Sequence, residues 1–204
     1  MAVPGRVEAA RLLLSLDPPA WFLRHSRAVA EVAGWLARRI ERSGIDVQRP
    51  LVEAAALLHD VDKTLPPDEP ARELPHGDGS AAWLARHGYP ELGRAVAAHP
   101  VTRLLDDDRY RRWSAFASRE ERIVAYADKR AGQRLEPMAA RFASWERRYP
   151  DDWPASDRRL VRARAERLEA DVCRAAGVRP EEVTRLRWTS AALRGAGQAK
   201  ADPS

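Results

Sequence analysis

Apolar residues recur along this chain at spacings of three and four, the period that lines one face of a helix, rather than at the alternating spacing of a strand. No β-branched run bounded by turn signals reads as a strand, so the pattern predicts an all-α protein. A short helix is expected over Arg6–Leu16, ended by Asp17-Pro18-Pro19. A longer one follows over Ala20–Arg42, with Phe22, His25, Val29, Val32, Ala33 and Leu36 on one stripe and Gly44 as its stop. Leu51–Thr64 is apolar almost all round, the mark of a central buried helix, and it stops before Pro66-Pro67. Pro66 to Pro75 reads as loop.

Gly77-Asp78-Gly79-Ser80 leads into a helix reaching His87, and Glu91–His99 forms the next, halted by Pro100. Ser118 followed by Glu121 has capping-box spacing and opens a helix carrying Ile123, Val124, Tyr126 and Ala127. Pro137 breaks it or begins another, and Ser156 is placed to cap a helix running to Ala176. Residues beyond Thr189 are small and polar and are expected to form a mobile tail.

A chain of 204 residues and 22.9 kDa suits one compact domain, or one domain with an appended segment. A domain of this size buries roughly 70% of its unfolded surface, so neither disulfides nor a structural metal is needed to make a core. The single cysteine, Cys173, excludes an intramolecular disulfide framework and a cysteine-rich zinc module. No apolar run approaches the roughly 18 residues of a membrane span, and Met1 to Ala20 lacks a signal-peptide pattern, so a cytoplasmic protein is expected.

The formal charge is +5, but residues 51–102 carry a net −4 and the remainder +9. An acidic segment with histidines suits a bound cation, and the basic surroundings suit an anionic partner. Arginine outnumbers lysine 32 to 3, so single arginines say little, whereas Lys63 and Lys129 stand out. Polar residues sit where apolar ones belong at His25, His59-Asp60, His99 and Asp128. Burying such groups alone costs a few kcal/mol each, so several together imply mutual pairing or a metal. Two imidazoles and two carboxylates suit Mn, Fe, Zn or Ni better than Ca and leave positions open for water and substrate.

The order His25, His59-Asp60, His76, His99, Asp128 resembles that of the HD-domain metal-dependent phosphohydrolase superfamily. The local texts carry the resemblance: Arg24-His25-Ser26, Leu57-Leu58-His59-Asp60-Val61-Asp62-Lys63, His76-Gly77, Ala98-His99 and Ile123-Val124-Ala125-Tyr126-Ala127-Asp128-Lys129. His59-Asp60 with Lys63, and His76-Gly77 before a small-residue helix, look most like the branch containing bacterial symmetrical dinucleoside-tetraphosphate hydrolases.

The resemblance covers roughly residues 20–135 and implies an all-α helical bundle. Residues 1–136 would be its core with an N-terminal helix, 137–188 a helical extension packed on it, and 189–204 a flexible tail. It implies that His25, His59, Asp60 and Asp128 hold a divalent transition metal (Fe, Mn, Co, Ni or Zn). His76 and His99 would serve a second ion or the substrate phosphate. The implied activity is hydrolysis of a phosphoester or phosphoanhydride bond in a nucleotide-like small molecule by a metal-activated water, with Asp60 catalytic. Lys63, one turn beyond the His59-Asp60 pair, is placed to bind phosphate, with Lys129, Arg130 and Arg134 as helpers.

Two departures from that branch touch the substrate side. Pro100-Val101-Thr102 follows His99 in place of a Thr-Thr-Gly run, and Lys129-Arg130-Ala131-Gly132 replaces an aromatic and Glu-Pro segment. A non-catalytic nucleotide- or RNA-binding regulator and a di-iron oxygenase are the competing classes, and Lys63 favours phosphate chemistry. His87 reads as a helix C-terminal cation, and Asp62 and Asp78 as supporting hydrogen-bond partners, solvated residues or caps. Trp35, Trp83, Trp113 and Trp145 read as core fillers. The Arg158–Arg174 stretch reads as a solvated, salt-bridged face, covering the core or forming a homodimer contact.

Overall fold

The computed structural model describes residues 3–198. Among them are ten α-helices and no strand; a single isolated bridge pairs Ala131 with Leu135. The helices are α1 (Arg6–Ser15), α2 (Ala20–Arg42), α3 (Arg49–Leu58), α4 (Asp78–Arg86), α5 (Gly93–Ala97), α6 (Asp107–Phe116), α7 (Arg119–Arg130), α8 (Met138–Arg148), α9 (Ala155–Ala176) and α10 (Trp188–Gln198). The all-α expectation holds.

At the centre α2 packs against α3 and α7. Phe22, Val29, Val32, Leu36 and Ile40 of α2 meet Val52, Ala55, Leu57 and Leu58 of α3, all without solvent exposure. Each large apolar side chain buried in this way contributes roughly 1.5–3 kcal/mol. Helix α7 begins with the full capping box: Ser118 Oγ accepts from Glu121 N at 3.2 Å and the Glu121 carboxylate accepts from Ser118 N at 3.2 Å. Helix α9 lies along α7 and α2, burying Val161, Ala165, Leu168, Val172 and Ala176, and ends at Gly177, whose φ of +63° is the left-handed stop that glycine supplies.

Several elements differ from the sequence reading. Ser156 lies inside α9, which starts at Ala155 behind Pro154. The expected Glu91–His99 helix is a 3-10 turn over Pro90–Leu92 followed by α5, and the expected Pro66–Pro75 loop holds a 3-10 turn over Pro70–Glu73. Helix α3 ends at Leu58 rather than Thr64, because Asp60 takes a bridge-region backbone (φ −107°, ψ 13°) and the chain tightens into a 3-10 turn over Val61–Thr64. Helix α6 was not anticipated. It has no buried residue and hence no apolar stripe, and starts on Asp106, whose carboxylate accepts from Arg109 N at 2.9 Å. The expected tail is largely helix: α10 packs on α1, burying Ala192 and Ala196, with Trp188 and Thr189 against α2. Small residues read as solvated tail are here the flat face that lets two helices approach closely. Residues 199–204 of that tail lie outside the described residues.

Candidate metal centre

Five elements converge at one end of α3. His25 comes from the second turn of α2, His59 and Asp60 from the turn that ends α3, His76 from the loop before α4, His99 from the end of α5, and Asp128 from the last turn of α7. The early end of α3 matters here, since the break lets two adjacent residues project into one space where a continuous helix would splay them about 100° apart.

Asp60 is the hub. Its Oδ2 lies 3.3 Å from His25 Nε2 and 3.5 Å from His59 Nε2, while its Oδ1 lies 3.2 Å from His76 Nε2 and 3.1 Å from His99 Nε2. Asp128 Oδ1 sits 3.5 Å from His25 Nε2 and 3.7 Å from His59 Nε2, on the Oδ2 side. The arrangement therefore has two halves that share one carboxylate: His25, His59 and Asp128 on one side, His76 and His99 on the other.

All four rings are anchored in the same way. Nδ1 of His25, His59 and His99 donates to the carbonyl oxygens of Gly132 (2.9 Å), Ala56 (2.9 Å) and Val96 (2.6 Å), and Nδ1 of His76 donates to the Asp62 carboxylate at 3.0 Å. In its neutral form, a ring whose Nδ1 proton is committed outward presents an unprotonated Nε2 inward, the tautomer of a metal ligand. His25 and His59 then face acceptor to acceptor at 3.2 Å, and so do His76 and His99 at 3.2 Å, with ionised carboxylates alongside. Such a set requires positive charge at its centre, supplied by protons or by metal ions. Donor atoms of His25, His59 and Asp128 lie within 4.8 Å of one another, as do those of His59, Asp60 and His99. The donor set, imidazole nitrogen with carboxylate oxygen, fits a divalent transition metal.

Electrostatics follow from this crowding. Burial disfavours charge on Asp60, but the surrounding imidazoles of His59, His25, His76 and His99 hold its carboxyl well below the ordinary range. Asp128 is likewise lowered against burial by its bond to His59 and by Lys129. His99, fully buried, is pushed down to about 4 by desolvation despite the bond to Asp60. For His76, hydrogen bonds to Asp60 and Asp62 outweigh desolvation and raise it to about 9.

The four cations expected at the phosphate side divide. Lys63 Nζ donates to Asp60 Oδ2 at 2.7 Å from the rim of the site, its side chain 43% exposed. Arg134 is exposed and lines the same opening. Lys129 points the other way: it is fully buried, donates to the carbonyls of His99 (2.8 Å) and Ala125 (3.0 Å), and desolvation lowers it to about 8. Arg130 is also buried. It donates to Tyr126 Oη (2.6 Å), Pro180 O (2.9 Å) and Glu136 O (2.8 Å) and pairs with Glu169, clamping α7 to α9. Lys129 and Arg130 thus build the scaffold and do not reach the opening, since residues at the end of α7 face the core on one side of Asp128 and α9 on the other. His87 caps α4 and stacks on Trp83, outside the site.

The opening is a cleft of about 620 Å³. It is lined by His25 and Asp60, by Lys63 at the rim, by Trp21, Gly132–Arg134 and Glu136, and by Arg141, Ser144, Trp145, Arg148 and Tyr149 of α8 and its end. The α8 wall was missed by sequence reading, which took Trp145 for a core filler. It is half-buried and faces the cleft. The available signal was the arginine and aromatic spacing Arg141, Trp145, Arg148, Tyr149, which places these residues on neighbouring turns of one helix face.

Residues 22–132, more than half of the chain, match the HD domain family. The chain belongs to the HD-domain family. No curated protein and no solved structure matches it. HD domains bind divalent metals and form a family of metal-dependent phosphohydrolases. In this chain the HD domain contains all six of His25, His59, Asp60, His76, His99 and Asp128, and it ends at Gly132, whose carbonyl anchors His25. Helices α8–α10 lie beyond it. Among the described residues no helix is long and apolar enough to cross a membrane.

Proposed function

We propose that this HD domain hydrolyses a phosphoester or phosphoanhydride bond in a nucleotide-like small molecule, with dinucleoside polyphosphates among the substrates to be tested. The observation that carries the reading is Asp60 shared between two anchored histidine pairs, in the lining of a cleft rimmed by Lys63 and arginines. His25, His59, Asp60 and Asp128 would hold one divalent ion, and Asp60, His76 and His99 a second. Bound there, a divalent ion lowers the pKa of water and polarises a phosphoryl oxygen.

The chain's own residues supply the rest. Gly132, Ala56 and Val96 carbonyls and the Asp62 carboxylate fix each imidazole in one tautomer. Asp60 stays ionised throughout the neutral range, so it serves as a constant acceptor between the two halves and orients the attacking water. Lys63, released from Asp60 Oδ2 as a substrate enters, donates to a phosphoryl oxygen from the rim. The buried Lys129 holds the segment carrying His99 in place through the His99 carbonyl.

The test is an anaerobic product screen of protein loaded with Mn, Fe or Co against mononucleotides, dinucleoside polyphosphates and cyclic dinucleotides. Phosphate or nucleotide release that disappears in Asp60→Asn, with metal content lost in parallel, is the expected result. Bound metal with no bond cleaved, or oxygen uptake by the iron-loaded protein in air, would replace this reading with a binding or oxygenase role.

A further inference from the structure

Next to the metal cleft lies a second cavity, of about 220 Å³, between α8 and the turn that follows His99. Its walls are Val101, Phe142, Trp145, Tyr149 and Trp153, and Thr102, Glu146, Asp152 and Arg158 are its polar lining. It is smaller than the roughly 300–1,000 Å³ of sites for drug-sized ligands, which leaves room for one ring system. Trp145 and Tyr149 line this cavity and the metal cleft alike, so the two adjoin.

Three features orient an occupant. The walls are aromatic and only partly covered: Tyr149 is 50% exposed, and Trp145 and Trp153 are half-buried. The Trp145 ring is held edge-to-face by Phe142, with centroids 5.1 Å apart, and carries the Arg141 guanidinium 4.7 Å from its centre, so it is rigid and supported. The charge becomes more positive along the path. Glu146, Asp152 and Arg158 border the aromatic cavity, with Glu146 paired to Arg162, whereas at the cleft Lys63, Arg134, Arg141 and Arg148 face only Asp60 and Glu136, so a phosphate is drawn to the cleft.

Arg141 and Arg148 are also uncommitted. Arg122, Arg130, Arg162 and Arg164 each pair with a carboxylate, but Arg141 and Arg148 make no ion pair among the described residues. The Arg141 Nε is buried without a hydrogen-bond partner, although its guanidinium lies against Gly132 at the cleft wall. A buried donor left unsatisfied costs free energy.

We propose that α8 and its following loop, which lie outside the HD domain match, form a recognition pocket for the planar base of a nucleotide. The base stacks among Trp145, Tyr149 and Trp153, and the phosphates run past Arg141 and Arg148 to the metal centre. This rests on the phosphohydrolase reading for the direction of the phosphate, but the pocket can be tested without turnover. It excludes sugar phosphates and inorganic polyphosphate as preferred substrates, since neither carries a ring to fill the cavity.

The experiment compares binding of the four nucleoside 5′-monophosphates with that of ribose 5-phosphate, by calorimetry on the full chain with metal removed by chelator and again with Mn added. At least one nucleotide is expected to bind ten-fold or more tightly than ribose 5-phosphate. Stacking of one base on an aromatic side chain is worth ~1–3 kcal/mol, which corresponds to a change of roughly 5- to 150-fold. Tyr149→Ala, at a half-exposed position where the fold is retained, should reduce the nucleotide-to-ribose-phosphate affinity ratio about ten-fold, and Trp153→Ala and Trp145→Ala should do the same. Arg141→Gln should weaken both ligands together.

Equal affinity of the wild-type protein for nucleotide and ribose 5-phosphate, or a ratio unmoved by Tyr149→Ala and Trp153→Ala, overturns the pocket. That result would leave the phosphohydrolase reading standing if ribose 5-phosphate or another phosphoester is cleaved. Pocket-dependent nucleotide binding with no bond cleaved under any metal would do the reverse.

Discussion

The two halves of the candidate metal centre are held by different supports, and Asp62 supports only one of them. Its carboxylate accepts from His76 Nδ1 at 3.0 Å and from the Gly77 backbone N–H at 2.6 Å, and its side chain is 8% exposed. His25, His59 and His99 are anchored instead on the carbonyls of Gly132, Ala56 and Val96. Asp62→Asn keeps the shape and removes the charge. The amide oxygen can keep both bonds that Oδ2 accepts now, but the amide NH2 then replaces Oδ1, which lies 3.1 Å from His76 Nδ1, and sets a donor against the ring N–H. The opposition is relieved either by weakening the His76 bond or by the amide donating to His76 Nδ1. The second outcome moves the ring proton to Nε2, where it blocks ligation. Loss of such a supporting partner typically weakens metal binding by about 10–100-fold, or ~1.4–2.7 kcal/mol.

The weakening should fall on one site. Anaerobic equilibrium dialysis with Mn, followed by metal analysis, should show two classes of site in the wild-type protein. In Asp62→Asn the weaker class should shift by that factor, with the His25–His59–Asp128 class within two- or three-fold of its original affinity. Equal weakening of both classes would show that the centre behaves as one unit, and an unchanged titration would show that Asp62 does not control His76. Either result refutes the partition of the site into two independently supported halves.

Three further outcomes follow from the packing. Gly77→Ala should destabilise the His76 half and the fold together, since Gly77 has φ +85° and an added Cβ would lie 2.8 Å from Pro100 Cγ; urea unfolding should show a loss of at least ~1–3 kcal/mol. Arg130→Met leaves Glu169 and Tyr126 without their buried partner and should cost about 3–5 kcal/mol in the same assay. A phosphate-binding role would instead raise KM with stability unchanged. The Cys173 thiol is buried and raised by desolvation, so its thiolate fraction at pH 8 falls below that of a free cysteine of pKa ~8.5. It should react with a thiol-specific disulfide reagent only after unfolding, and prompt reaction of the native protein would contradict the packing of α9.

Much of the scaffold was legible from local pattern. The stripe Phe22, Val29, Val32, Leu36 and the run Leu51 to Leu58, apolar but for Glu53, name the central helices because burial of helical faces leaves an apolar pattern on the chain. The Ser118 and Glu121 pair names the start of α7 because its bonds close within four residues. His25, His59-Asp60, His99 and Asp128 were conspicuous because polar groups at core positions need partners, and the structure does bring them together.

Long-range packing settled the remainder. Lys63 and Lys129 each follow an aspartate of the site closely in sequence, yet one reaches Asp60 from the rim and the other is buried beneath His99. Periodicity reports that a position is buried, but the direction of a flexible cation depends on which carbonyls and carboxylates other helices bring near. The same holds for α8. Its residues alternate arginine with aromatic in a way that suits a solvated face, and only the closing of α8 against the Gly132–Arg134 turn and the Val101 turn makes Arg141, Trp145 and Tyr149 the walls of a cleft. A cavity belongs to no single element, so no local pattern encodes it. It arises where surfaces far apart in the chain meet without filling the space between them.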